Sequence, residues 1–440
     1  MRGRDFTQTA LFSTKPLNRR IPHRHPLRKL RVIVDQCLRE MDADFEAMYD
    51  RHAGRESIPP EQLLRALLVQ MLFTVRSERQ LMEQLDYNLL FRWFVGLEMD
   101  QEVWHHSTFS ANRDRFLRHE VIRKFFDRVL QVARANDLLS DEHFSVDGTL
   151  IEALGSMKSV VPRTPESNEK PPTAPPEPGV VPEATAAPEA TALPEAAPPE
   201  AATPEAAAPE VVTLAAAAVA PSGAPETPPP SPSASPPAGS LGRNRWVDFK
   251  GTKRSNKTHV SETDPDAMLA CKGSHQTVKL SWVGHALMEN RSGLVTDAML
   301  TQATGTAECE AAETMAARSI HKKGATLGAD KGYDTSAHVA NLKAMKIRSH
   351  AAQNNKGRKS AIHANTAKSK GFCTSQKLRK RVEEIFGWMK CTGNQRKSKF
   401  FGKARTEMAF VLSAASYNLV RMMGLFGWRI EAQAGELRPA

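Results

Sequence analysis

Three carboxylates in this chain have the spacing and surroundings to act together. Asp147 lies inside HisPheSerValAspGlyThrLeuIle (143–151), which alternates as a strand does. Asp330 ends a short apolar run that begins at Ala325, and LysGlyTyrAsp follows it. The third acid is Glu383 or Glu384, on a helix expected from Ser375 to Cys391. Helix geometry separates these two. At about 100° per residue, Val382, Ile385, Phe386 and Met389 form one apolar stripe that should face the core. Gln376, Arg379, Glu383 and Lys390 fall within roughly 60° of arc on its flank. Glu384 points away from the core. Glu383 is therefore expected at a core boundary beside two cations, and Glu384 in solvent.

Acids on strand ends and on a facing helix can converge although they are distant in sequence. Carboxylates held close together repel, and burying them unpaired is costly. A divalent cation offsets that cost, and hard oxygen ligands suit Mg²⁺ or Mn²⁺. Two such ions about 4 Å apart would clamp the attacking and leaving oxygens of an in-line phosphoryl displacement. The same residues also have an ordinary structural account. Asp before Gly is a common turn, and Arg379 with Glu383 is an i,i+4 ion pair. Asp334 is expected to stabilise the turn after Asp330. His105 and His106 are expected to be structural or capping residues. Five scattered cysteines without a CxxC argue against a disulfide framework or a structural zinc site, and Cys271 with His275 lacks partners at zinc spacing.

The elements that must position these acids fall into blocks. Residues 1–140 read as a helical N-terminal domain. Glu61–Phe73 is apolar at helical spacing behind ProPro at 59–60. A second pattern opens at Ser77 and Glu78 and runs to Phe94. Ser107 is placed to cap a third, Thr108–Arg118, and Val121–Leu139 makes a fourth. From 141 to 160 the period changes to that of a strand. Residues 161–240 hold 22 of the 29 prolines and almost no large apolar residue. Such a tract excludes helix and ladder and does not offset its ordering entropy, so a disordered Pro/Ala/Glu-rich insertion is expected. Residues 241–428 return to alternating patterns. Thr277–Met288 and Gly293–Leu300 read as a hairpin. Glu308–Ile320 is a helix, Ala325–Ala329 a strand, Thr335–Met345 a helix and Ile347–His350 a strand. Thr406–Gly424 is an apolar helix, read as too short and too polar to cross a bilayer. Residues 429–440 are a tail. The order is that of a mixed α/β layer fold.

Charge points to a polyanionic partner. The net charge is +11, and the insertion alone carries −8, which leaves +19 on the remainder. Residues 353–405 hold 15 Lys and Arg against Glu383 and Glu384. Arg243, Arg245, Lys250, Lys253, Arg254 and Lys257 form a second basic run. Such runs suit phosphate contacts, which are salt-dependent and tolerant of sequence. Asn112, Arg113 and Arg115 lie on a short helix that could enter a groove as a recognition helix, although Arg on one face is also common in plain bundles. No run of 18 apolar residues occurs, so no membrane partner is expected. The Arg-rich N-terminus lacks the apolar core of a secretory signal. With reduced cysteines, this fits a cytoplasmic, nucleoid-associated protein.

Seven strings carry a resemblance. They are HisSerThrPheSerAlaAsnArgAspArgPhe (106–116), PheSerValAspGlyThrLeuIleGluAla (144–153), ArgSerAsnLysThrHis (254–259), GlyHisAlaLeuMetGluAsnArg (284–291), ThrGlnAlaThrGlyThrAlaGlu (301–308), GlyAlaAspLysGlyTyrAspThr (328–335) and ArgValGluGluIlePheGlyTrpMetLys (381–390). In this order they resemble bacterial insertion-sequence transposases of the DDE class, in the group named for insertion sequences four and five. They span nearly everything outside the insertion.

The resemblance implies an α/β RNase H-like (retroviral-integrase-like) catalytic core with an all-helical N-terminal DNA-binding domain. It implies that Asp147, Asp330 and Glu383 hold two Mg²⁺ or Mn²⁺ ions. It implies hydrolysis at the element's ends and strand transfer into target DNA. Arg379, Glu383 and Lys390 match a Tyr-x2-Arg-x3-Glu-x6-Lys signature, but Gln376 stands at the Tyr position. Arg379 and Lys390 are then expected near DNA phosphates. The expected partners are double-stranded DNA, as terminal inverted repeats and target, and a second copy of the chain in a synaptic complex. The alternative is a DNA-binding regulator derived from a transposase and lacking cleavage.

Overall fold

The computed structural model describes residues 16–49, 57–163, 254–271, 273, 276–355 and 357–426. Residues 164–240 of the Pro/Ala/Glu-rich insertion, the basic residues 243–253, His275 and the tail lie outside the described residues, while Val161 and Pro162, expected to open the disordered insertion, belong to a strand.

The described residues of the N-terminal part form helices only: α1 (Leu17–Arg20), α2 (Pro26–Arg39), α3 (Asp42–Glu46), α4 (Pro60–Leu72), α5 (Glu78–Tyr87), α6 (Leu89–Val95), α7 (His106–Arg118) and α8 (Val121–Ala135). Local chemistry sets their ends. Pro60 starts α4, where a missing N–H costs nothing. The Ser77 hydroxyl accepts from Gln80 N at 3.1 Å and opens α5. The pattern expected to run from Ser77 to Phe94 is two helices. Asn88 leaves helical geometry, and its side chain accepts from Leu90 N (3.0 Å) and Phe91 N (3.3 Å) to start α6. The N-cap of α7 is His105 rather than Ser107, with His105 Nδ1 accepting from Ser107 N at 3.4 Å.

Eight strands follow among the described residues: β1 (His143–Glu152), β2 (Val160–Pro162), β3 (His259–Ser261), β4 (Met268–Ala270), β5 (Lys279–Glu289), β6 (Val295–Gln302), β7 (Thr326–Ala329) and β8 (Arg348–Ala351). The remaining helices are α9 (Ala307–Ser319), α10 (Ser336–Ala344), α11 (Ala364–Ala367), α12 (Lys370–Leu378), α13 (Arg381–Cys391) and α14 (Lys403–Phe426). β1 is central. β5 pairs with it antiparallel, and β4 and β6 both pair with the far edge of β5. On its other side β1 pairs in parallel with β7, and β7 with β8. The mixed sheet, with helices on both faces, is the α/β core expected. The small β2–β3 ribbon was not foreseen. It clamps the two chain segments that flank the insertion, Val160 opposite Ser261 and Pro162 opposite His259.

Each face of the sheet buries its own set. Phe144, Val146 and Leu287 pack with α9, α10, β7 and β8. Ile151, Trp282, Ala286 and Met288 pack with α13, α14 and the N-terminal helices in one continuous core. The N-terminal helices therefore share a core with the sheet, and no packing boundary falls at residue 140. The 24-residue α14 holds these layers together. By length and composition it would suffice to cross a bilayer, which corrects the expectation that it is too short and polar. It is, however, mostly buried here, with Phe410, Leu412, Ala415 and Leu419 in the shared core. Its close approach requires Gly284. A Cβ there would stand 2.6 Å from the Phe410 ring.

Candidate active site

Strand pairing brings the segments of the first two acids together. Parallel pairing aligns His143 with Thr326, Phe144 with Leu327 and Ser145 with Gly328. The pairing ends at Ser145 and Gly328, each two residues before an aspartate, and Asp147 shares the pleat phase and face of Ser145. Gly328 identifies that face, since a Cβ there would meet Ser145 Oγ at 3.2 Å and Arg379 Cβ at 3.6 Å. It is the face covered by α12 and α13, and α13 carries Glu383.

Asp147 is half-buried, with Oδ1 accepting from Gly148 N at 2.8 Å. Asp330 is exposed just beyond β7. It caps the turn Lys331–Tyr333 by accepting from Lys331 N at 2.7 Å. Arg379 reaches Asp330 Oδ1 at 3.5 Å. Gln376 steadies that contact, because its Oε1 accepts from Arg379 Nε at 2.9 Å and its amide donates to His350 O. The residue that departs from the signature thus positions the signature's arginine.

The expected single helix Ser375–Cys391 is two helices. α12 stops at Leu378, and the chain tightens through Arg379 and Lys380 before α13. Val382 N and Glu383 N donate to Arg379 O and Lys380 O, an i to i+3 pattern. Val382, Ile385, Phe386 and Met389 are buried as the stripe requires. Glu383 and Glu384 are both exposed, so burial does not separate them. Glu384 lies within electrostatic reach of Tyr417 on α14. Lys390 is half-buried on α13.

The donors are chemically suited to a hard divalent cation: aspartate and glutamate oxygens on two strand ends and a facing helix. Among the described residues, no three Asp, Glu, His or Cys side chains already surround one point. Asp330 and Glu383 are both exposed, and Asp147 is half-buried.

Several expected DNA contacts lie elsewhere. Asn112 and Arg113 are buried, which corrects their assignment to base reading. Asn112 donates to Thr108 O at 2.8 Å. Arg113 pairs with Glu78 and Asp114 and lies over the Phe400 ring at 4.7 Å. Arg115 packs over the Tyr49 ring at 4.7 Å. Arg254 donates to Met157 O at 3.1 Å beside the β2–β3 ribbon. Lys257 is exposed. Asp334 is buried and structural. Burial opposes its ionisation, but bonds from Asn354 N (2.7 Å), Ser360 and Ala361 N (2.9 Å) hold its carboxyl below the usual range.

A cavity of about 840 Å³ lies away from the acids. It lies between α8, β6, α9 and α14, where Asp297 is held by Arg123 at 3.1 Å and Arg318 at 2.9 Å. Asp330 stands exposed just beyond β7, Asp147 half-buried midway along β1, and Glu383 exposed on α13.

Residues 15–115 match the family model described as a transposase domain (DUF772), and residues 260–419 match the one described as a transposase DDE domain. No match was found among curated proteins or solved structures. Asp330 and Glu383 fall within the second matched stretch. Asp147 falls between the two, on the strand that the sheet pairs with β7. Covering more than half of the chain between them, the two matches support its assignment as an insertion-sequence DDE transposase.

Proposed function

We propose that this transposase binds the ends of its own element, in the insertion-sequence-four/five group, and there cuts and transfers DNA strands. The observation that supports the reading is the parallel pairing of β1 with β7, which ends two residues before Asp147 and Asp330, on a sheet whose Ser145 face is covered by Arg379 at the α12–α13 junction. Asp147, Asp330 and Glu383 are the residues that would hold the two Mg²⁺ or Mn²⁺ ions. Bound there, the metal supplies activation of water or a 3′-hydroxyl and stabilisation of the leaving 3′-oxygen. Arg379 holds Asp330 in place and, released from it, offers a bidentate contact to a backbone phosphate. Lys390 lies seven residues beyond Glu383 on α13 and presents a second cation to the same backbone. Lys257 and the basic segment 353–405 would track the duplex through phosphates. The exposure of Asp330 and Glu383 suits this substrate, because a double helix does not enter an enclosed cavity. Two DNA ends held in synapsis call for two copies of the chain, acting at the nucleoid.

The test is cleavage of a labelled duplex carrying the element's end, with Mg²⁺, by wild type, Asp330→Ala and Glu383→Ala, with binding followed in the same samples. The reading stands if all three bind and only wild type cuts. It falls if wild type binds but does not cut with Mg²⁺ or Mn²⁺, which is the behaviour of a DNA-binding regulator.

A further inference from the structure

Gly148, next to Asp147, faces the opposite layer of the sheet, and its missing side chain leaves room for others. A Cβ there would meet Glu308 Oε1 at 3.1 Å and His285 Nδ1 at 3.2 Å. Glu308 stands in the first turn of α9. Its second oxygen, Oε2, lies 3.7 Å from the Cβ position of Gly332, in the turn that follows Asp330. One carboxylate therefore reaches both backbone segments that carry the aspartates. It can do so because β7 ends at Ala329 while β1 runs on to Glu152. Beside Gly148 the sheet has lost its neighbour, and a side chain from the α9 layer reaches the strand ends.

Two buried groups on the segments around this carboxylate have an unpartnered polar atom. His285 is wholly buried and bonds Thr301 Oγ1 through Nε2 at 2.7 Å, but its Nδ1 has no partner. Tyr333 is 1% exposed and its hydroxyl has no partner. Its backbone N donates to Asp330 O at 3.2 Å, in the turn that Asp330 caps. Buried polar atoms nearly always find a partner, and carboxylates gathered this way repel.

We propose that Glu308 is a fourth acid of the divalent-cation site, reaching it through the gap at the end of β7 from the layer opposite Glu383. The inference rests on the metal-dependent reading above. A hydrated divalent cation is the ligand class that answers both needs. Its charge offsets the repulsion among hard oxygen donors, and its water ligands are partners for His285 Nδ1 and the Tyr333 hydroxyl.

Mn²⁺ binding to the full chain without DNA, read by electron paramagnetic resonance of the free ion, tests this. Wild type is compared with Glu308→Gln, Asp330→Asn and Glu310→Gln. Glu310 shares the first turn of α9 and its charge, so it matches any effect of the helix end. Glu308→Gln should weaken binding about tenfold, Asp330→Asn at least as much, and Glu310→Gln less than about twofold. Glu308→Asp keeps the charge and loses the reach, so it should remain weakened. If Glu308→Gln binds like Glu310→Gln while Asp330→Asn fails, the fourth acid is overturned and the metal reading stands. If Asp330→Asn also binds like wild type, both are overturned. Full binding by Glu308→Asp would assign the effect to charge alone and overturn the ligand role.

Discussion

The helices α7 and α13 are similar on paper and opposite in the fold. Both are short, both are amphipathic, and both carry cations at helical spacing. On α7 the charge turns inward. Arg113 is enclosed by Glu78, Asp114 and the Phe400 ring, and Asn112 bonds back to Thr108 O. On α13 the apolar stripe turns inward and leaves Glu383 exposed, one turn from an arginine that holds Asp330. The difference lies in what each charge meets. A cation whose acid and aromatic partners sit on neighbouring helices of the same core is a packing element. A charge left on the open end of a sheet is available to a ligand.

Breaking the α13 side should have the largest effect. Asp147→Asn, Asp330→Asn and Glu383→Gln should each lower cleavage about a thousandfold, since a metal clamp supplies several kcal/mol at the transition state, with thermal unfolding unchanged. A quenched-flow cleavage assay checks this, and a variant that keeps even a tenth of the rate removes that acid from the site.

Breaking the α7 side should instead cost stability. Arg113→Ala leaves Glu78 short of its partner in a largely buried site and should destabilise by about 3 kcal/mol. Urea unfolding measures it, and DNA binding by the folded fraction should not change. A variant that unfolds like wild type but loses DNA would return Arg113 to base recognition.

A third effect lies in pH. Burial lowers the pKa of His285 from 6.5 to about 4. The unfolded chain therefore takes up the proton first as pH falls. This contribution to stability is complete above about pH 6.5 and is lost on the way down to about 4, by up to about 3 kcal/mol. Unfolding of wild type and His285→Gln across that window should converge at low pH. Parallel curves would show that His285 is not the group titrating.

The smallest effect belongs to exposed phosphate contacts. Lys257→Ala should leave the unfolding temperature unchanged and reduce the salt slope of DNA binding by about 1. An unchanged slope would show that Lys257 stays in solvent when DNA binds.

Much of the fold was legible because its cues are local. ProPro at 59–60, Ser77 and the alternation of 143–151 each act within a few residues, and each predicted an element close to the one found. The breaks were harder to see. Asn88 divides one apolar pattern into α5 and α6 by capping, and the tightening at Arg379–Lys380 divides α12 from α13 without interrupting the apolar stripe. The β2–β3 ribbon joins segments about a hundred residues apart, and no periodicity on either side announces it.

For the site, the sequence by itself determined which acids are chemically able to act, that cations accompany Glu383, and that the partner should be polyanionic. These follow from residue type, charge and helical phase, which are properties of the chain. Tertiary structure alone decided that β1 pairs with β7 just ahead of Asp147 and Asp330, that Gln376 holds Arg379, and that Arg113 belongs to the core. It alone brought Glu308 to the gap where β7 stops short of β1. These are pairings between distant segments, fixed by which strands bond and which faces pack, and residue spacing along one segment carries no record of them.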